Sequence, residues 1–132
     1  MVLPRFVKSA IKNEDIQVYG DGTQTRVFCH VKDAVDAIIG LMSEKRAIGE
    51  IFNIGGEGET SINELALRVK EIAGSSSQIT HIPYSQAYSP GFEETYRRVP
   101  DTTKLRNLTG WKPQFSLDQI IEDVVAFIRT TE

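Results

Sequence analysis

The stretch Ile16-Gln17-Val18-Tyr19-Gly20-Asp21-Gly22-Thr23-Gln24-Thr25-Arg26-Val27-Phe28-Cys29-His30-Val31-Lys32-Asp33 carries the densest structural signal in the chain. Residues 16–19 alternate apolar with polar or amphipathic side chains, the period of a strand, and Gly20-Asp21-Gly22-Thr23 is turn chemistry. A second strand is expected over residues 26–31, with Val27, Cys29 and Val31 on one face and Arg26, Phe28 and His30 on the other. Asp33 suits the cap of a helix whose Val35, Ile38, Ile39 and Met42 would point to a core.

On the N-terminal side, Leu3-Pro4-Arg5-Phe6-Val7-Lys8-Ser9-Ala10-Ile11 places a proline at a first helical position and repeats apolar residues at helical spacing, so a short amphipathic helix is expected to stop near Asn13. On the C-terminal side, Ile51-Phe52-Asn53-Ile54 reads as an apolar strand feeding a glycine turn, Gly55-Gly56-Glu57-Gly58-Glu59-Thr60. Ser61 and Glu64 then form a capping box ahead of the stripe Ile62, Leu65, Ala66, Val69, Ile72 and Ala73, and Gly74 ends that helix. A serine turn at residues 75–77 leads to a strand around residues 79–82. Residues 83–100, rich in Pro, Gly, Tyr and charge, read as a binding loop. Ser116 and Gln119 make a second capping box before Leu117, Ile120, Ile121, Val124, Val125 and Ile128. Strands alternating with helices predict an α/β fold, and the absence of a linker or internal repeat predicts one domain over residues 1–132.

Composition narrows the function classes. The 132 residues include 15 Lys+Arg against 18 Asp+Glu, a net charge of −3, which offers neither the basic stripe of a nucleic-acid binder nor a Lys/Arg-rich membrane-surface helix. The longest apolar run, residues 37–42, is far short of the roughly 20 residues that span a bilayer, and Met1-Val2-Leu3-Pro4 is not a signal peptide, so a cytoplasmic location is expected. Cys29 alone makes no internal disulfide, and with only His30 and His81 there is no recurring Cys/His spacing for zinc.

Each chemical motif has a plainer reading beside it. Read as Gly56-x-Gly58-x-x-Ser61, the glycine turn lacks the third glycine of a dinucleotide loop, and Glu57 and Glu59 would place negative charge beside a pyrophosphate; a tight turn and helix cap describe it better. Arg26 and the pair Arg97-Arg98 come from separate segments and present forked, permanently charged groups, suited either to clamp a diphosphate or to pair with a surface carboxylate such as Asp101. Tyr19, Phe28, Tyr84, Tyr88, Phe92 and Tyr96 are candidates for a base-stacking wall or for simple packing. Cys29 and His30, adjacent in an expected strand, face opposite ways and form no nucleophile–base pair. No tyrosine has a lysine four positions later.

Residues 18–33, then Phe52-Asn53-Ile54-Gly55-Gly56, then Arg98-x-x-Asp101, and finally Leu108-Thr109-Gly110-Trp111-Lys112-Pro113 together resemble the C-terminal portion of NAD-dependent sugar-nucleotide epimerases and dehydratases, the extended short-chain dehydrogenases/reductases that include UDP-glucose 4-epimerase, dTDP-glucose 4,6-dehydratase and UDP-glucuronate decarboxylase. The resemblance covers almost the whole chain, with the blocks in order. It implies that Gln17 and Tyr19 contact the nucleotide base, that Arg26 binds the diphosphate, that Arg98 and Asp101 bind diphosphate or ribose, and that Asn53 belongs to the same pocket. Trp111 is implied to be a structural lock.

The resemblance also implies a missing half. Family enzymes hold NAD in an N-terminal Rossmann half and use a Tyr-x-x-x-Lys pair as acid/base, the lysine's charge lowering the tyrosine's pKa; this chain has neither element. The expectation is therefore the substrate-binding portion of an extended Rossmann-type short-chain dehydrogenase/reductase, with a UDP- or dTDP-linked sugar as partner and no catalytic residue of its own. The rival expectations are a non-catalytic interaction or regulatory module that keeps the fold without ligand, and an unrelated α/β domain with a different order of elements. In the family, the strand matching residues 51–54 joins the sheet of the nucleotide half, so the chain is expected to expose an apolar strand edge and helix face and to form a homo-oligomer through them.

Overall fold

The computed structural model describes residues 1–87 and 95–131. Elements run in the order α1 (Val2–Ile11), β1 (Ile16–Tyr19), β2 (Thr25–Arg26), α2 (Val31–Met42), a 3₁₀ turn (Lys45–Ala47), β3 (Thr60–Ser61), α3 (Ile62–Ile72), β4 (Ile79–Ile82), α4 (Tyr84–Ala87), β5 (Arg97–Arg98), α5 (Thr103–Thr109) and α6 (Leu117–Thr131). The fold is α/β. Strands β1 and β4 pair in parallel, Ile16 against Ile79, while β2 lies between an antiparallel β3 and a parallel β5.

The core lies where α1, α3 and α6 pack on one another and on β1. Phe6, Val7, Ile16, Val18, Leu65, Val69 and Ile121 are essentially inaccessible, and burying each such side chain stabilises the fold by about 1.5–3 kcal/mol. The expected stripes of α1, α3 and α6 supply the helical ones, and β1 supplies Ile16 and Val18. Pro4 stands third in α1 rather than first, still within the opening turn whose N–H groups lack helical acceptors. The α6 capping box closes in both directions, Gln119 N–H donating to Ser116 Oγ (3.3 Å) and Ser116 N–H to Gln119 Oε1 (2.8 Å). At α3 only half of it forms: Ser61 Oγ accepts from Glu64 N–H (3.1 Å), but the Glu64 carboxylate turns to Arg68.

Four expectations need correction. The strand expected over residues 26–31 is a ladder only at Thr25–Arg26, because β3 and β5 are each two residues long and offer nothing further to pair with. His30, not Asp33, caps α2: its backbone is extended and its Nδ1 accepts the Lys32 N–H at 3.1 Å. Asp33 is buried, its two carboxylate oxygens taken by the N–H groups of Gln114 (2.9 Å) and Phe115 (3.2 Å), while its carbonyl accepts Trp111 Nε1–H (3.1 Å). These bonds lock the Gly-Trp-Lys-Pro segment onto α2.

The other corrections concern the apolar faces. Val35, Ile38, Ile39 and Met42 do not enter the core; they are exposed, with Met42 at 82%. Residues 51–54 form no strand. Their chain runs beside residues 100–104, tied by Lys104 Nζ to the Ile51 carbonyl (3.1 Å) and by Asn53 Nδ2 to the Asp101 carbonyl (3.1 Å), and no ladder partner stands beside them among the described residues.

Candidate functional site

The short ladders around β2 sort side chains onto two faces. Parallel register sets Arg26 beside Arg98 and Thr25 beside Arg97, and antiparallel register sets Arg26 opposite Thr60 and Thr25 opposite Ser61. Side chains of directly paired residues share a face of the sheet. One face therefore carries Arg26, Arg98 and Thr60, and the other Thr25, Arg97 and Ser61. Two arginines far apart in sequence thus leave the sheet side by side on one face.

Their surroundings differ. Arg26 Nη1 donates to the carbonyls of Thr25 (2.7 Å) and Thr95 (2.8 Å), which holds its head at the entrance to β5. Arg98 is exposed, and among the described residues its side chain makes no hydrogen bond or ion pair. Arg97 behaves in the other way open to a loop arginine: it pairs with a carboxylate, that of Glu59 rather than Asp101 (Nε to Oε2, 3.0 Å). The Asp101 carboxylate instead accepts from Thr103, whose hydroxyl and amide hold it below the usual carboxylate range. With Asn53 bonded to its carbonyl, Asp101 stands at the end of the β5 segment, three residues beyond Arg98.

Gln17 and Tyr19 lie on the other sheet, on the face of β1 opposite Ile16 and Val18. Gln17 is exposed and Tyr19 half-buried. Sequence reasoning missed two neighbours here. The Arg5 guanidinium carbon lies 3.8 Å from the Tyr19 ring centroid, and Gln24 Nε2 donates to the Tyr19 carbonyl (3.0 Å), bracing the turn between β1 and β2. Nothing in the spacing of α1 marks Arg5 for this contact, since it depends on how α1 crosses β1.

The candidates for a stacking wall are described only in part. Phe28 packs against the core, Tyr84 is half-buried, Tyr96 is exposed, and Tyr88 and Phe92 lie outside the described residues. Cys29 and His30 each have partners of their own. The Cys29 thiol points to the His30 carbonyl and burial pushes its pKa up; the His30 ring stacks on Phe115 at 4.0 Å and meets Asp123 at 3.0 Å.

The glycine turn does not suit a pyrophosphate. No strand leads into it, Glu57 and Glu59 are engaged by Arg106 and Arg97, and a Cβ on Gly56 would collide with the Phe28 carbonyl oxygen, so this glycine serves close backbone packing. This turn therefore does not fit the pyrophosphate of NAD. No group of His, Cys, Asp and Glu able to hold a metal ion occurs among the described residues, and none of their helices is long and apolar enough to cross a membrane.

A family model described as GDP-mannose 4,6 dehydratase matches residues 1–124. The chain belongs to the NAD-dependent epimerase/dehydratase family. Among members of this family, it is 44% identical to the UDP-N-acetyl-alpha-D-glucosaminuronate decarboxylase of Bacillus cytotoxicus, over 99% of this chain and 40% of that protein. It is 38% identical to UDP-glucuronic acid decarboxylase 2 of Arabidopsis thaliana, over 89% of this chain and 25% of that protein. Its fold matches that of Bacillus cereus UDP-glucuronic acid 4-epimerase in complex with UDP-glucuronic acid and NAD, with TM-score 0.87 and 27% identity over all of this chain and 40% of that one. Thermotoga maritima UDP-glucose 4-epimerase with UDP-glucose matches with TM-score 0.86 and 28% identity, over 99% and 40%. The chain thus spans about 40% or less of these relatives, corresponding to the C-terminal portion of the family fold. The family uses NAD, and this chain corresponds to the portion without the Rossmann half.

Proposed function

We propose that this chain is the nucleoside-diphosphate-sugar-binding portion of an NAD-dependent epimerase/dehydratase, taking a UDP-linked sugar and performing no catalysis by itself. The observation that carries this reading is the register of Arg26 with Arg98, which sets two cations on one face, where a diphosphate's two negative charges would bridge them. On this reading Asn53 and Asp101, joined to each other just beyond β5, serve the ribose or diphosphate, and Gln17 with Tyr19, on the other sheet, serve the base. The names of the curated relatives favour a UDP-linked uronate as substrate, with decarboxylation as the reaction of the whole enzyme. The free, half-buried Cys29 agrees with a cytoplasmic setting.

The test is titration calorimetry with UDP and dTDP, comparing the parent chain with Arg98→Ala. Losing one charge-assisted hydrogen bond to the diphosphate costs about 1.5–3 kcal/mol, so UDP affinity is expected to fall by one to two orders of magnitude. Equal heats for both proteins overturn the reading.

A second reading, an interaction module without ligand, has one observation in its favour: the exposed apolar face of Val31, Ile38, Ile39 and Met42 on α2, with Ile48 and Ile51 beyond it. The same face supports self-association of the isolated chain. Absence of any UDP or dTDP heat, together with a specific protein partner, would favour this module.

A further inference from the structure

The Arg26–Arg98 pairing poses a mechanical problem. β5 is two residues long and exposed, and the residues that the register sets side by side carry like charges. On the front, Arg26 Nη1 holds the Thr95 carbonyl (2.8 Å) just ahead of β5; a further hold on the opposite face would fix β5 itself.

That face supplies one. Glu59 precedes Thr60 of β3, so by strand alternation it emerges on the side away from Arg26 and Arg98. Its carboxylate accepts from Thr25 Oγ1 of β2 (2.9 Å) and from Arg97 Nε of β5 (3.0 Å) and Nη2 (2.5 Å). One carboxylate thereby ties all three strands at the residues adjacent to the two arginines. Arg97 and Glu59 both hold their charges firmly, each stabilised by the other.

We propose that Glu59 is a positioning residue, a clamp on the back of the β3–β2–β5 sheet whose bonds to Thr25 and Arg97 keep Arg98 beside Arg26 for the diphosphate of a nucleotide sugar. This rests on the function proposed above. The clamp makes a prediction whose sign simple electrostatics reverses. A carboxylate near a dianion repels it, so removing Glu59 for charge alone would tighten UDP binding; removing it as a clamp weakens binding.

UDP is titrated into the 132-residue chain and its Glu59→Ala, Thr25→Val, Arg98→Ala and Glu59→Ala/Arg98→Ala variants, with the thermal midpoint of each recorded. Glu59→Ala is expected to weaken UDP binding about tenfold, the size of coupling seen between residues of one network, with Thr25→Val moving it less in the same direction. In the Arg98→Ala background the Glu59 effect should largely vanish, because the group it positions is gone; a general loss of structure would weaken binding in both backgrounds. Unchanged or tighter binding by Glu59→Ala, alongside a large loss in Arg98→Ala, overturns the clamp and leaves the binding site standing. No effect of Arg98→Ala overturns the binding site itself.

Discussion

Asp33 shows how much one carboxylate can organise when its oxygens are placed between segments distant in sequence. It is 1% exposed, and two main-chain N–H groups that would otherwise lack acceptors end on it. Asp33→Ala should therefore cost about 2–4 kcal/mol, the sum of two charge-assisted bonds discounted for partial solvation of the freed amides, read as a shift in the urea midpoint. Asp33→Asn keeps one acceptor and should lose about half as much. The residue type was legible as something that binds backbone N–H groups near a helix start, but not which ones. His30, rarely used as a cap, took the local role, and the partners of Asp33 lie some eighty positions along the chain. Arg26 and Arg98 were legible as charges in the same way. Spacing did not show their juxtaposition, because two-residue strands leave no period to read; the family resemblance alone implied it.

At the scale of elements, the long periodic helices were legible because amphipathic spacing alone locates them: α1, α3 and α6 stand where their stripes put them, and β1 and β4 fall on residues 16–19 and 79–82. Apolar runs of four residues were not, since residues 51–54 need a neighbouring strand that the described residues do not contain. The close approach of residue 56 to residue 28 defines how that segment lies. Gly56→Ala places a methyl group against the Phe28 carbonyl oxygen and should cost about 1–3 kcal/mol by forcing the segment aside, measured by thermal unfolding; Gly58→Ala, strained through its φ of +82° but open around the Cβ, should cost about 1 kcal/mol.

At the scale of the whole molecule, acid should loosen the surface before it reaches the core. The carboxyls of Asp21, Glu44, Glu50, Glu59 and Asp101 are all held below their ordinary values by hydrogen bonds, from Thr23, Arg46, Lys104, Arg97 and Thr103 respectively. Glu44 is drawn from 4.5 to about 2. A group with a depressed folded value adds stability above its unfolded value and loses it as pH falls through the folded one. The thermal midpoint should accordingly be flat at neutral pH and decline as pH falls from about 5 towards 2, with Glu44→Gln removing the lowest part of that decline. The apolar face of α2 makes a separate prediction. Sedimentation at high protein concentration should show association, and Ile39→Lys/Met42→Lys, at positions 56% and 82% exposed, should abolish it while leaving the unfolding midpoint nearly unchanged. A strictly monomeric parent chain removes the idea.

Parallel pairing of Ile16 with Ile79 has a consequence for how the molecule is made. On a ribosome, β1 emerges with its two apolar side chains and must wait for α2, the glycine turn and all of α3 to be synthesised before its only ladder partner among the described residues arrives, and longer still for α6 to roof the core. Closure across so long a span is slow relative to local helix formation. The nascent chain thus passes through an interval in which Ile16 and Val18 lack the strand they pair beside.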